Sequence, residues 1–201
     1  MQQDKIEIIL CEGKSEMAYV QQLNRLLKFD CGPYYRPAFA AYVIGTGKFS
    51  GVKQKLGEVK RENPRTDIKI WLDKDLYLRD QKEIDQLNKY KSSFPPILFS
   101  IMNFEDFVAL HCEDKLLSEW IFRCEELDHF KVPLHSEVYE PEFRKLFPNY
   151  RKGIFPFELK RSNIELMFSR VVDGSCPIKN DFGVYLKKLM ESGKLLFIED
   201  I

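Results

Sequence analysis

Hydrophobic positions in the first hundred residues switch between consecutive runs and a helical period. Ile8, Ile9, Leu10 and Cys11 are adjacent and apolar, which predicts a buried strand over 5–11. Met17, Val20, Leu23, Leu26 and Leu27 then recur at helical spacing and predict a helix over 15–28. Lys14 or Ser15 stands at its start, with Glu16 in a first turn whose dipole favours acids. FAAYVI at 39–44 reads as a second strand, 49–62 as a polar helix, and DIKIWL at 67–72 as a third strand ending in Asp73. A helix follows over roughly 80–90, then a fourth strand over 97–100 after Pro95 and Pro96. From 103 onward the spacing is helical. The tail at 182–198 predicts one more helix and a short closing strand, LLFI.

Alternating strands and helices imply an α/β fold: a four-stranded, mostly parallel, Rossmann-like sheet with helices on both faces and right-handed crossovers. The division expected is a domain over 1–110 carrying a mostly helical C-terminal extension, 111–201, packed on it. In such sheets ligands bind beyond the carboxyl ends of the strands, where Glu12 and Asp73 stand.

Composition narrows the function classes. With 44% hydrophobic residues and 16 phenylalanines, a chain of 201 residues can bury a sizeable core. Lysine plus arginine equals aspartate plus glutamate at 31 each, so a general basic coat for nucleic acid is excluded and any such contact needs a local patch. The five cysteines show neither CxxC nor zinc-finger spacing and read as reduced thiols. Without a signal peptide or an apolar run approaching 18 residues, a soluble cytoplasmic protein with no membrane span is expected.

Two acidic pairs carry the candidate chemistry. Asp73 and Asp75 are two residues apart, so at an extended strand end they would point the same way, about 6–7 Å apart. Glu12 and Glu16, four apart, would share a helix face about 6 Å apart along the axis. If the first and third strands adjoin, four carboxylates converge, and that many like charges need a cation between them. Mg²⁺ or Mn²⁺ would suit the oxygens, activating water and clamping a phosphodiester, with two metals about 4 Å apart as one arrangement. Taken singly, a Glu at a strand end is usually a solvated loop residue, and an Asp-x-Asp is common on surfaces. The combination at two strand ends is the stronger signal.

LCEGKSE before a helix, with WLDKD after a third strand, resembles the TOPRIM domain of topoisomerases, primases and OLD-type nucleases. ILFSIMNFEDFVALH at 97–111 and FPNYRKG at 147–153 are similar to segments of its RloB-like branch, the latter to a Tyr-x-Lys stretch. Asn103 stands where that branch often has proline, and Phe107 or Val108 where it has tryptophan. The resemblance spans roughly 5–155. It implies that Glu12 binds metal or acts through its water, that Asp73 and Asp75 hold one or two Mg²⁺ or Mn²⁺ ions, and that Glu16 holds the second. Gly13 would allow close approach at the turn. It also implies work beside an ABC-type or AAA ATPase partner in anti-phage defence; the sequence leaves oligomeric state open, a homodimer included.

Glu105 joins the candidates because the fourth strand also ends beside the site. His111, six residues on and about 240° round a helix, reads as a packed residue, and His129 and His135 as surface residues. The segment 144–161 holds Arg144, Lys145, Arg151, Lys152, Lys160 and Arg161 interleaved with Phe147, Tyr150, Phe155 and Phe157. That is the composition of a backbone-gripping surface, the alternative being a solvated helix and loop whose phenylalanines are core. Either Lys152 or Lys160 could neutralise charge on a transferring phosphate. GTGKFSG at 45–51 is not a Walker A loop, since Tyr42 and Phe49 stand where Gly and Ser or Thr are needed, though Lys48 could touch a phosphate.

The expected function is a metal-dependent endonuclease acting on DNA or RNA, tRNA included. Strand passage and priming would need further domains. The alternatives are a TOPRIM-scaffold binding or toxin-like module acting through its partner without cleavage, and a small-molecule phosphohydrolase.

Overall fold

A computed structural model describes residues 7–201. Its centre is a four-stranded sheet, every neighbouring pair parallel, in the order β4–β1–β5–β6. The strands are β1 (Glu7–Cys11), β4 (Ala40–Val43), β5 (Asp67–Asp73) and β6 (Ile97–Ser100). β1 and β5 occupy the middle and are covered on both faces, which is why their apolar residues run consecutively. Ile9, Cys11 and Trp71 face α1 (Lys14–Leu26), α5 (Phe104–Ala109) and α9 (Asp181–Glu191). Ile8, Leu10, Ile68, Ile70 and Leu72 face α2 (Phe49–Glu62) and α4 (Gln81–Tyr90). A strand placing successive side chains on opposite faces produces this division.

The residues beyond 110 share the core of the sheet. Trp71 stacks on Phe182 of α9 at 4.1 Å between ring centroids and donates its indole N–H to Ser100 Oγ at 3.0 Å. Ser100 also accepts from the Asn180 amide at 3.1 Å. α6 (Asp114–Glu126), α7 (Ser136–Leu146) and α8 (Arg161–Arg170) complete this side.

Two sequence expectations, the end of the first helix and the place of His129, differ from the structure. The helix predicted over 15–28 ends at Leu26, and Leu27 begins β2 (Leu27–Asp30). β2 pairs antiparallel with β3 (Tyr35–Pro37) and with β7 (Leu195–Phe197), the closing strand, in a second small sheet. Leu26 and Leu27 both fit the helical stripe, so periodicity alone carried the helix too far. The helix expected over roughly 80–90 forms as α4; a short helix, α3 (Asp75–Arg79), precedes it, and Asp80 separates the two by capping α4, accepting the Lys82 N–H at 2.9 Å. His129, expected at the surface, is buried. No helix among the described residues is long and apolar enough to cross a membrane.

Candidate functional site

Because β1 and β5 run parallel and in register, their last residues emerge side by side. The Glu12 N–H donates to the Trp71 carbonyl at 3.0 Å, and Glu12 Oε2 accepts the Asp73 N–H at 2.9 Å. Glu16, in the first turn of α1, turns Oε2 back to accept the Gly13 N–H at 3.0 Å. Asn103 caps α5 by accepting the Asp106 N–H at 3.0 Å, which sets Glu105 at the front of that helix. Glu105 Oε1 accepts a short hydrogen bond from the Tyr150 hydroxyl. Glu12, Glu16, Asp73 and Glu105 thus line one cavity of about 420 Å³, together with Tyr139, Tyr150 and Lys152.

Backbone groups orient these acids without neutralising them. Burial, then the neighbouring Glu16 charge, raises the Glu12 carboxyl to about 8. Burial also raises Glu105, to about 7, against the opposing Tyr150 hydrogen bond. Asp73 lies well above the ordinary range through burial and the charges of Glu12, Glu16 and Glu105. Its Oδ1 is buried and has no hydrogen-bond partner among the described residues. An orphaned carboxylate oxygen on a group that feels the charges of neighbouring acids is costly unless a cation or proton meets it. Lys14 and Lys152 are the cations of the cavity wall among the described residues, and Lys152 is held by Glu140 at 2.6 Å. The donor set, hard oxygens around an unsatisfied Asp73, fits a divalent cation.

The remaining candidates are placed differently. Asp75 does not line the cavity. β5 ends at Asp73 and Lys74 has right-handed helical dihedrals, φ −86° and ψ −13°, so the strand alternation that would aim Asp73 and Asp75 together does not apply. Asp75 Oδ1 accepts the Leu76 N–H at 2.6 Å and its Oδ2 pairs with Arg79 at 2.6 Å. Of the basic segment, Lys152 reaches the cavity and Lys160 does not. Arg144 pairs with Glu140, Lys145 with Glu142, and Arg161 with Glu165 and Asp200. Arg151, Lys160 and Lys48 are exposed outside the cavity wall. The aromatic rings between them turn inward: Tyr150 and Phe155 are buried, while Phe147 and Phe157 pack against the core. His111 is packed, as expected, between the Tyr19 hydroxyl at 2.8 Å and the Phe107 carbonyl at 2.9 Å.

Tyr139 carries no sequence signal of a site role, and Tyr150 reads from sequence as a stacking ring. The Tyr-x-Lys stretch was the available signal for Tyr150, since Tyr150 and Lys152 both reach the cavity.

A second polar cluster lies in the interior. Asp106, Cys124 and His129 each offer a ligand atom, all within 4.8 Å of one another, and could hold a metal ion. Trp120 Nε1 donates to Asp106 Oδ1 at 2.8 Å, and His129 Nε2 lies 3.0 Å from Oδ2. These contacts satisfy the Asp106 carboxylate, while His129 Nδ1, like Asp73 Oδ1, is buried without a hydrogen-bond partner among the described residues.

Comparison with family models, curated proteins and solved structures finds no match to this chain.

Proposed function

We propose that the protein is a Mg²⁺- or Mn²⁺-dependent nuclease of TOPRIM type, hydrolysing nucleic-acid phosphodiesters at the cavity beyond β1 and β5. The observation that carries the reading is Asp73 Oδ1, buried and unpartnered among the described residues, with Glu12, Glu16 and Glu105 around it. Glu12, Glu16 and Asp73 are the proposed metal ligands, and Asp75 joins them only if its bonds to Leu76 and Arg79 open. A bound divalent ion supplies Lewis-acid charge and lowers the pKa of water.

The chain's own residues do the rest. Backbone N–H groups of Asp73 and Gly13 fix the Glu12 and Glu16 carboxylates, so little reorganisation is needed when charge develops. Glu105, raised to about 7, can take and return a proton near neutrality, with Tyr150 fixing the carboxyl. Lys152 stands in the wall where an anionic phosphate would enter. The ATPase partner and the defence role rest on the resemblance of the Glu-Gly and Asp-x-Asp segments alone.

The test is incubation of purified protein with plasmid and with total tRNA in Mg²⁺, in Mn²⁺ and in chelator, beside Asp73→Ala. Metal-dependent cleavage lost in the variant is expected. Partner binding with no cleavage in either metal would replace this reading with the non-cleaving scaffold.

A further inference from the structure

The wall of the cavity limits what can reach its floor. Glu12 and Asp73 are half-buried, but Glu16 and Glu105 are each only 4% exposed and Asp73 Oδ1 is buried, so a phosphorus atom that meets all four acids must enter the pocket. At about 420 Å³ the space falls in the range of small-ligand sites, about 300–1,000 Å³, and three rings, Phe104, Tyr139 and Tyr150, stand in its walls.

Charge points the same way. Duplex binders neutralise many phosphates along a basic track. Here Glu137, Glu140 and Glu142 share α7 with Arg144 and Lys145, and Arg161 is drawn to Asp200 at the C-terminal end. Arg161 also lies 4.5 Å over the Phe197 ring of the small sheet. Arg144, Lys145 and Arg161 of the segment are therefore paired with acids, Arg151 and Lys160 are exposed outside the cavity wall, and the segment's rings pack inward. Lys14 and Lys152 remain as the cations that a phosphate entering the cavity would meet.

Resting on the nuclease reading, we infer that the site takes an unpaired strand, down to a dinucleotide, threaded into the cavity, and rejects the middle of a duplex. A single strand can splay its bases and narrow to one backbone. A paired strand keeps its partner beside every phosphate and cannot enter. With two cations engaged, and a slope of about −0.7 per phosphate for single strands, raising salt from about 50 to 200 mM should cost about sevenfold in binding. A track of six to ten contacts on duplex would cost about 10³–10⁵-fold.

The experiment uses the full chain in Mn²⁺ with a dinucleoside monophosphate, a labelled 20-mer, and the same 20-mer annealed to its complement. The expected result is cleavage of the first two, duplex cleavage at least tenfold slower, and a salt loss below tenfold on the 20-mer. Duplex cut as fast as single strand, an uncut dinucleotide, or a thousandfold salt loss overturns the inference and leaves the nuclease reading standing. Cleavage of none of the three removes both.

Discussion

The carboxylate of Glu12, the first residue past β1, accepts the backbone N–H of Asp73, the last residue of β5, at 2.9 Å. One strand end thereby holds the acid of the other in place, and Asp73, which lines the cavity, keeps a buried Oδ1 with nothing among the described residues to satisfy it. A side chain so placed costs stability for what it can bind, and that trade can be measured.

Asp73→Asn keeps the shape and removes a buried charge. In chelator the variant should be more stable than the parent by about 1 kcal/mol, a rise of about 2–4 °C in Tm. In Mn²⁺ the order reverses. The parent gains about 2.7 kcal/mol at a metal concentration near one hundred times its Kd, and the variant gains little. Calorimetric scans in both conditions check this, and a less stable variant in chelator would mean that Asp73 is not strained by its neighbours.

The pH dependence of the metal-free protein has a definite sign. Glu12 and Glu105 are raised, from an ordinary 4.5 to about 8 and about 7, so between these values the folded chain binds more protons than the unfolded one. Stability from these groups is full below about pH 4.5 and is lost as pH rises through 7 and 8. The Tm in chelator should therefore fall over that window. Metal binding needs the carboxylates ionised, so the stabilisation by Mn²⁺ should grow over the same window. Chelator scans that are flat or rise from pH 5 to 8 would contradict the raised values.

Tyr150→Phe removes the hydroxyl that holds Glu105. Tyr150 is buried and its ring packs edge-on against Phe143 at 4.8 Å, so the fold should survive with a loss of about 1 kcal/mol. That hydrogen bond lowers the Glu105 pKa, so without it the carboxyl moves further up. The rising limb of a cleavage-versus-pH profile should shift to higher pH. An unshifted limb would remove Glu105 as the titrating group.

What could be read from sequence follows from the range of each interaction. β1, β5 and β6 are local apolar runs with turn signals, and their parallel pairing follows from the helices between them. The convergence of Glu12 with Asp73 needed only that β1 and β5 adjoin. Tyr150 and Lys152 are brought to the cavity by packing of the chain beyond 110, across 45 residues from Glu105 to Tyr150, and no local period encodes that. Asp75 leaves the acidic group because strand alternation stops at Asp73, where Lys74 takes helical dihedrals. His129 gave no apolar stripe to mark it, yet Asp106 and Asn103 draw it inside, with Asn103 Nδ2 at 3.0 Å.

Gly47→Ala tests whether the orientation of Glu12 matters. Gly47 is buried, and a Cβ there would lie 2.7 Å from Glu12 Oε1 and 3.0 Å from its Cδ. The loop has little room to retreat, because the buried Tyr77 hydroxyl donates to the Gly47 carbonyl at 2.7 Å. The Glu12 carboxylate must turn instead, breaking its bond to the Asp73 N–H. Stability should fall by about 1–3 kcal/mol, and Mn²⁺ affinity by about 10–100-fold, the usual cost of disturbing what orients a ligand. Gly57→Ala is the control: it is exposed on α2, and its Cβ would meet nothing within 4 Å. That change should stabilise the helix by about 0.5–1 kcal/mol and leave metal binding unchanged. Titration calorimetry on both variants decides the matter, since wild-type affinity in Gly47→Ala would show that Glu12 does not ligate the ion.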